Sequence, residues 1–598
     1  MSDNQQPDPL PATPRKLSWN ERLIFFLTLC FILVVILLSL TIVVGFSNEW
    51  ITKLLAVIGT LSSAAGLLAL PPFKKVLLPS LDLLQSWYRL SAQKLRRWTR
   101  LGIKDIQRLI EHMPLVLRRV LLILWIVATT AYSIYNLAIG HPASNIVSAC
   151  QHGSDTFQVA QYNAQYIGMS DSSCYTFTSE NGIQSTIQAE NEVYKNNAQI
   201  PISAPHITII VTTMLANADL SSYDVGIAVL QGALIAQSNY NAHLQPGQPP
   251  LRLIIANTGA NEAYAPQIAQ QIVQLTQTDH SIIGVMGWPF STNSAMTALN
   301  TLNKVGIPSV SPTLSSTQFD HISSYFFRII PTDAYQAAYG AHYLHDQSGI
   351  KQVIVGEDSA NPYSESLAES FKAVFQSDSN NIITTIRYTR GQLVQAGMPL
   401  TNFVNEIEQH IPAGQVRTVA VYFAGYANDF ASVNKALSLD PAYTGLTLMG
   451  GDGLDEYTAY SNEDAYTRFY FTAFSDLQSG GSLLTSAQNS FITQYQQEAG
   501  GGDKLVENDA VLADDATYAL LNAYSSLALS PSSPQIWQQM QIKLENLDFA
   551  GLSGQITMGG GLYPSSKAVY LEQWSAEKGL TLCHTYGDAP ANQAQGSC

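Results

Sequence analysis

From Pro205 onward, short apolar strand patterns alternate with helical patterns, and this alternation restricts the chain to a small group of folds. Examples are HITIIVTTML followed by YDVGIAVLQGALIAQSNYN, LRLIIAN followed by APQIAQQIVQLTQ, and KQVIVGED followed by SESLAESFKAVFQ. Such alternation is typical of parallel sheets that are covered by helices on both faces. Because the stretch 205–598 is longer than an ordinary domain, we expect two such lobes.

Hydroxyl residues follow two neighbouring strand patterns in the segment 281–333. Ser291 and Thr292 come after IIGVMG, and Ser315 comes after IPSVSP. Ligand crevices of open α/β sheets form at the carboxyl ends of strands, where these residues would lie. Small hydroxyl donors beside helix N-termini suit a carboxylate or a similar anion. Ser and Thr are also common helix N-caps, and the two roles are compatible.

Three apolar stretches near the start of the chain predict membrane-spanning helices. Residues 22–46 are long enough to cross a bilayer core of about 30 Å, and 120–139 carry Trp and Tyr suited to an interface. Residues 54–70 are shorter and richer in small residues, so a re-entrant element is the alternative there. With three spans, the positive-inside rule places the N-terminus in the cytoplasm and the chain after about residue 141 outside the cell membrane.

The rest of the first 140 residues is polar or basic. Residues 1–20 contain proline and few apolar groups, so we expect a disordered cytoplasmic N-terminus. Residues 72–119 interleave apolar residues with Arg and Lys, which predicts an amphipathic helix on inner-leaflet lipid; a solvated linker is the alternative. This segment is too short to hold a cytoplasmic output domain. The whole chain still carries a formal net charge of −15, which argues against nucleic acid as a partner.

Four cysteines follow residue 141, namely Cys150, Cys174, Cys583 and Cys598. An even number in an oxidising compartment suggests two disulfides. We favour the local pairs Cys150–Cys174 and Cys583–Cys598, although four cysteines permit other connectivities. Their spacing is unlike that of metal ligands, so we expect no metal site, and no motif indicates a cofactor. Residues 141–204 are predicted to form an extracytoplasmic connector, and 205–598 a bilobed ligand-binding domain.

Several weak motifs occur in a definite order along the outer part of the chain. They are GVMGWPFST, GIPSVSPTLSS, YFFRIIPTD, VIVGEDSANPYSESLAESF, VAVYFAGYANDFASV, LMGGDG, VLADDATYALLNAY and FAGLSGQITMGGG. Together they resemble the type I periplasmic binding proteins, and most of all the branched-chain amino acid (Leu/Ile/Val) binding proteins. The resemblance implies an α/β fold of two parallel sheets flanked by helices, whose lobes close on a ligand about a hinge.

The resemblance also implies a set of ligand contacts. Ser291 matches a serine that holds the ligand carboxylate, and Leu314 and Ser315 match a carbonyl and a hydroxyl of the same lobe. Asp429 matches the acidic partner of the ligand ammonium, although many relatives have glutamate there. The other matched or adjacent positions are Tyr223, Thr292, Asp333, Tyr363 and Asp452. Capping and turn roles are the alternatives for the three aspartates, and packing is the alternative for the tyrosines.

These features predict a membrane-anchored extracytoplasmic solute-binding protein that captures an amino acid or a similar small polar ligand. An ABC permease would be its partner. The alternative is a sensory receptor that signals closure through its membrane helices to a partner, since three spans exceed what anchoring needs. The sequence offers no GxSxG, HExxH or Walker A motif, so we expect neither catalytic residues nor enzyme activity.

Overall fold

The structure, a computed structural model, describes residues 145–153, 155–177, 184–216, 220–347, 349–456, 468–477, 484–502, 505–575 and 579–587. These residues belong to one compact unit, Ile139–Cys598. The predicted N-terminal segment 1–20, the spans 22–46, 54–70 and 120–139, and the basic segment 72–119 lie outside the described residues. Within the described part of the chain, no helix combines the length and the apolar character needed to cross a membrane.

The first lobe is built on an eight-stranded sheet. Its strands are β1 (Asn145–His152), β2 (Asp155–Tyr162), β3 (Gln165–Ser170), β4 (Ile207–Thr213), β5 (Leu251–Asn257), β6 (Ile282–Gly287), β7 (Ser309–Ser311) and β8 (Phe326–Arg328). They are arranged in the order β1-β2-β3-β5-β4-β6-β7-β8. Along this order, the pairs β5–β4, β4–β6, β6–β7 and β7–β8 are all parallel. Every residue of β4, β5 and β6 is buried, because helices cover both faces of the sheet.

The second lobe is built on a seven-stranded sheet. Its strands are β9 (Gln352–Glu357), β10 (Ile382–Arg387), β11 (Val419–Ala424), β12 (Thr447–Gly450), β13 (Phe469–Ala473), β16 (Val569–Ser575) and β17 (Gly579–Tyr586). Their order is β10-β9-β11-β12-β13-β16-β17, and only β16 and β17 run antiparallel to their neighbours. A separate hairpin, β14 (Asp548–Gly551) with β15 (Gly554–Thr557), packs on the first lobe.

Helices cover both sheets. They are α1 (Gln184–Ala198), α2 (Leu220–Ala242), α3 (Ala265–Leu275), α4 (Asn293–Asn303), α5 (Asp333–His342), α6 (Pro362–Phe375), α7 (Met398–Gln409), α8 (Ala427–Ser438), α9 (Ser486–Gln497), α10 (Asn508–Ser525) and α11 (Ile536–Glu545). The first lobe carries α1 to α4 and α9 to α11, and the second carries α5 to α8. The chain passes between the lobes after β8, after β13 and before β16, so neither lobe is continuous in sequence. The predicted two-lobed α/β fold is confirmed.

Residues 145–170 extend the first sheet. The sequence predicts a connector over 141–204, and in the structure β1, β2 and β3 of this region are antiparallel strands, with β3 pairing to β5. The disulfide Cys150–Cys174 is present and ties β1 to the turn that follows β3. Cys583 is also disulfide-bonded, whereas its predicted partner, Cys598, lies outside the described residues.

A buried histidine fastens this extension to the rest of the lobe. His152 Nδ1 lies 2.9 Å from Asp171 Oδ2, and His152 Nε2 lies 3.1 Å from Asp279 Oδ2, just before β6. Arg252 on β5 donates to the same Asp171 oxygen at 2.8 Å. Burial by itself lowers the pKa of His152, but the hydrogen bonds and charges of the two carboxylates outweigh burial and raise the pKa to about 9. At neutral pH His152 is therefore a cation that bridges two aspartates.

We expect this bridge to make stability depend on pH. Because the pKa of His152 is raised on folding, its contribution is complete below about pH 6.5 and is lost as the pH rises through about 9. The loss amounts to about 3 kcal/mol at most. Urea unfolding at pH 6.5 and pH 9.5 should show a larger fall for the wild type than for His152→Asn, with the exposed His243→Asn as control. Equal falls in wild type and His152→Asn would contradict the role of the bridge.

Candidate functional site

The two lobes face each other across a cleft, and both contribute to its walls. The first lobe supplies residues from α2, from the loops after β6 and β7, and from the start of α10: Val225, Pro289, Phe290, Ser291, Thr313, Asn508, Asp509 and Leu512. The second lobe and the crossover after β13 supply Tyr363, Tyr426, Asp452, Gly453, Asp455, Glu456 and Phe474. The carboxyl ends of the strands in both sheets therefore border the cleft, as expected for open α/β sheets.

Hydrogen bonds join the lobes beside the cleft. They run from Ser316 Oγ to the Pro362 carbonyl (2.9 Å), between Thr317 Oγ1 and Ser366 Oγ (3.0 Å), from Gln318 Nε2 to Glu365 Oε2 (2.8 Å), and from Asn508 Nδ2 to Asp455 Oδ2 (2.5 Å). Aromatic packing adds to them, because the rings of Phe290 and Tyr426 lie 5.1 Å apart across the lobes. These contacts correspond to an arrangement in which the lobes are closed on each other.

The predicted hydroxyl residues after β6 lie at the start of α4. Ser291 lines the cleft, is 2% exposed, and accepts a hydrogen bond from the Ser316 N–H at 3.2 Å. Thr292 caps α4 by accepting from the Ala295 N–H at 3.0 Å, and it donates to Glu262 Oε2 at 3.1 Å. Ser291 is thus the one of the two that borders the cleft, while Thr292 holds the helix start in place.

Leu314 and Ser315 lie beneath the cleft wall. The Leu314 carbonyl accepts from Arg328 Nη1 at 3.2 Å, and the Ser315 carbonyl accepts from the Asp333 N–H at 2.8 Å. Ser315 is 1% exposed, and a hydrogen bond from its side chain to Asp333 opposes the rise in the pKa of that carboxyl. The loop after β7 therefore reaches the cleft through Thr313, and its next two residues connect to the interior.

Two of the predicted aspartates, Asp333 and Asp452, share one amide. Gln336 Nε2 donates to Asp333 Oδ1 at 2.9 Å and to Asp452 Oδ1 at 2.6 Å. Tyr363 donates its hydroxyl hydrogen to Asp452 Oδ1 at 2.7 Å and accepts from the Gly453 N–H at 2.8 Å. Burial, together with the nearby Asp452 charge, raises the pKa of Asp333 to about 7. Burial also raises the pKa of Asp452 to about 6, although hydrogen bonds from Gln336 and Tyr363 oppose the shift.

An aromatic wall stands beside these carboxylates. The Tyr363 and Tyr426 rings lie 5.1 Å apart, and Tyr426 also packs on Phe290. The Arg390 guanidinium lies 3.6 Å from the centroid of the Tyr426 ring and 4.5 Å from that of Phe290. The ring faces of Tyr426 and Phe290 therefore already contact one cation, the Arg390 guanidinium.

The sequence of the two lobes identifies the protein's relatives. Residues 220–578, which include strands and helices of both lobes and most of the cleft wall, match the periplasmic binding protein family. The chain belongs to this family. The resemblance drawn from the motifs is thereby confirmed.

Solved structures of binding proteins share the fold. A leucine-binding protein from Thermotoga maritima is 18% identical, with a TM-score of 0.52 over 64% of this chain and 99% of its own. A branched-chain amino acid transporter substrate-binding protein from Streptococcus pneumoniae, solved with isoleucine, is 17% identical, with a TM-score of 0.51 over 63% and 99%. An ABC transporter solute-binding protein from R. palustris, solved with 4-hydroxybenzoate, is 16% identical, with a TM-score of 0.52 over 64% and 98%. No curated protein matches the chain by sequence.

Asp429 of this binding protein serves the backbone of a loop. It lies in the first turn of α8, is 1% exposed, and does not belong to the cleft lining. Its Oδ2 accepts from the Gly391 N–H at 2.7 Å, and its Oδ1 accepts from the Leu393 N–H at 2.9 Å. In the same motif, Tyr426 is the residue that lines the cleft, because it precedes the helix and faces the other lobe.

Tyr223 lies in the first turns of α2, in the helix that contributes Val225 to the cleft wall. Its side chain is outside the described residues. The backbone position keeps Tyr223 near the cleft, and its contact with a ligand stays a prediction.

The sequence analysis did not single out several charged residues of the cleft. Asp455 and Glu456 follow the GGDG turn, and Asn508 and Asp509 begin α10 in the run VEND. Burial, with the nearby charge of Asp452, raises the pKa of Asp509 to about 7. The only local sequence clue was a cluster of acids at a turn and at a helix start, where capping is the ordinary explanation.

The role of Asp429 is testable without a ligand. Asp429→Ala removes the acceptor for two backbone N–H groups, so the free energy of unfolding should fall by about 1–3 kcal/mol. Amide hydrogen exchange of residues 390–394 should become faster, as measured by mass spectrometry. The exposed Asp440→Ala, beyond the opposite end of the same helix, is the control. Unchanged protection of 390–394 would rule out the anchoring role.

Proposed function

We propose that this protein is an extracytoplasmic solute-binding protein that captures an amino acid or a similar small polar molecule in the interlobe cleft. The observation that carries the proposal is the cleft itself, whose polar and aromatic groups come from both lobes of a periplasmic binding protein fold. A ligand between the lobes would contact both, so its binding energy favours the closed arrangement. No metal or catalytic group is needed for this function.

The two sides of the cleft differ in chemistry. Ser291 and Thr313 supply hydroxyls and lie near the N-terminus of α4, which suits a ligand carboxylate. Asp452 and its neighbours supply carboxylates, which suit an ammonium group. The rings of Tyr363 and Tyr426 also line the cleft, where they would pack on the apolar part of a ligand. This polarity supports an amino acid better than a simple anion such as 4-hydroxybenzoate, the ligand in the R. palustris structure.

Delivery to an ABC permease is the most direct use of such capture. The relatives from S. pneumoniae and R. palustris are described as transporter binding proteins. The apolar stretches 22–46, 54–70 and 120–139 would hold the binding domain at the outer face of the membrane, so that the ligand is released close to the permease. The disulfide Cys150–Cys174 supports an oxidising, extracytoplasmic location.

A sensory receptor is the second candidate. It is favoured by the number of predicted spans, because one span is enough for anchoring. Closure of the lobes would then be passed to a partner protein that carries the cytoplasmic output. Reconstitution distinguishes the two functions: ligand-dependent ATP hydrolysis by a co-purified permease supports delivery, and ligand-dependent activation of a kinase supports sensing.

Ligand capture is tested by thermal shift of the full-length chain against a panel of amino acids and hydroxybenzoates. A true ligand at about a hundred times its Kd should add about 2.7 kcal/mol to the free energy of unfolding. Ser291→Ala should weaken binding of that ligand about tenfold, through the loss of one hydrogen bond to a charged group. Ser294→Ala, on the same helix but outside the cleft lining, should leave affinity unchanged. The proposal fails if no small polar compound stabilises the chain.

A further inference from the structure

The side chain of Arg390 contacts aromatic rings of both lobes. Arg390 lies in the loop after β10 of the second lobe. Its guanidinium carbon is 3.6 Å from the centroid of the Tyr426 ring, in the same lobe, and 4.5 Å from that of the Phe290 ring, in the first lobe. Both rings line the cleft, whereas Arg390 is not among the lining residues that the structure describes. One cation outside the lining therefore connects the two walls.

The second lobe fixes the position of Arg390. The Arg390 N–H donates to Asp358 Oδ2 at 2.9 Å, and Asp429 accepts hydrogen bonds from the backbone of 391–393. These groups and Tyr426 all belong to the second lobe, so they would keep their places when the lobes separate. A side chain that is already ordered loses little conformational entropy when it meets the ring of the other lobe.

The first lobe fixes the position of Phe290 in a comparable way. Buried Glu262 accepts from Thr292 Oγ1 at 3.1 Å and from the Phe290 N–H at 3.5 Å. Glu262 and Trp288 have φ angles of 56° and 57°, in the left-handed region. Such a backbone conformation persists in non-glycine residues only where the surrounding structure enforces it. The loop that carries Phe290 and the lining residue Ser291 is therefore held on both sides.

The charge of Arg390 also reaches the anchor of this loop. Burial raises the pKa of Glu262 to about 8, and the hydrogen bonds from Thr292 and Phe290 and the charge of Arg390 oppose the shift. Arg390 of the second lobe thus interacts favourably with the ionised form of a first-lobe carboxyl. This attraction acts in the same direction as the contact with the Phe290 ring.

This contact differs from the interlobe hydrogen bonds. Hydroxyl groups such as those of Thr317 and Ser366 exchange each other for water when the lobes separate, so their net contribution to closure is small. The attraction between a cation and a ring face is larger at a partly buried site than at an exposed one. Arg390 is partly buried, and Phe290 is 6% exposed. Their contact is therefore the stronger candidate for stabilising closure.

We propose that Arg390 is a latch, a positioning residue that stabilises the closed arrangement of the lobes without contacting the ligand. The inference rests on the proposed solute-binding function and adds the control of closure over the same cleft. In the open arrangement Arg390 keeps Tyr426 and the hydrogen bonds of its loop, and closure adds the Phe290 ring. Because Phe290 precedes Ser291 in the chain, the latch closes directly beside a predicted ligand contact.

Disulfide trapping of the closed arrangement tests the latch without a ligand. Thr317 Oγ1 and Ser366 Oγ lie 3.0 Å apart across the lobes, so cysteines at these positions can join only when the lobes are closed. In full-length Thr317→Cys/Ser366→Cys protein, peptide mass spectrometry measures how fast this cross-link forms in a glutathione redox buffer. Adding Arg390→Met should slow its formation about three- to tenfold, because the cation–π contact is lost.

Three further variants, each in the same cysteine pair, separate a latch from a general loss of stability. Arg387→Met, at the exposed end of β10, removes the same charge from the same lobe and should leave the rate unchanged. Phe290→Leu should itself slow the cross-link, and Arg390→Met added to it should change the rate less than about twofold, since the ring is already missing. Arg390→Lys keeps the charge without the planar guanidinium, so its rate should lie between those of the wild type and Arg390→Met.

The outcomes decide on the latch and leave solute binding to its own test. An unchanged rate in Arg390→Met, or an equal loss in Arg387→Met, would overturn the latch. A loss that persists in full in the Phe290→Leu background would also overturn it, because the effect would then not pass through the interlobe contact. In each of these cases the proposed solute-binding function stands, since the thermal-shift screen tests it separately.

Discussion

The side-chain amide of Gln336 organises the deep end of the cleft. Its nitrogen donates to Asp333 and Asp452, and its oxygen accepts from the Asp452 N–H at 2.9 Å and from Thr472 Oγ1 at 2.7 Å. The amide thus uses both donors and both lone pairs of its oxygen. It connects α5, β13 and the turn after β12, three elements that meet at the junction of the lobes. Without this bridge, two buried carboxylates would lie close together with little to offset their repulsion.

Closure brings neutral and charged groups of the two lobes into contact. The interlobe hydrogen bonds of Ser316 with the Pro362 carbonyl and of Thr317 with Ser366 join neutral groups. Those of Gln318 with Glu365 and of Asn508 with Asp455 involve carboxylates. Inside the cleft, the two walls carry like charges, and closure removes water from them. A ligand that contacts both lobes would favour their closed arrangement.

The fold was predictable because it depends on long-range sequence patterns. Fully apolar strands such as IIGVMG and the helices between them specify parallel sheets whatever the details of the loops. The site was predictable only in part. Ser291, Tyr363 and Asp452 line the cleft, but Asp429 binds the backbone of the 391–393 loop. A motif fixes which helix approaches the cleft. It does not fix whether the residue that precedes the helix, here Tyr426, or one in its first turn lines the cleft.

The N-terminal extension was hidden from the sequence for a related reason. The burial of β2 and β3 alternates only weakly, so pattern alone did not attach these strands to a sheet. What attaches them is a set of distant contacts: the β3–β5 pairing and the bridge of His152 to Asp279, 127 residues away. Such contacts form only in the folded first lobe, so no local sequence pattern indicates them. The extension adds β1 to β3 at one edge of the sheet, next to β5, whereas the loops that line the cleft follow β6 and β7.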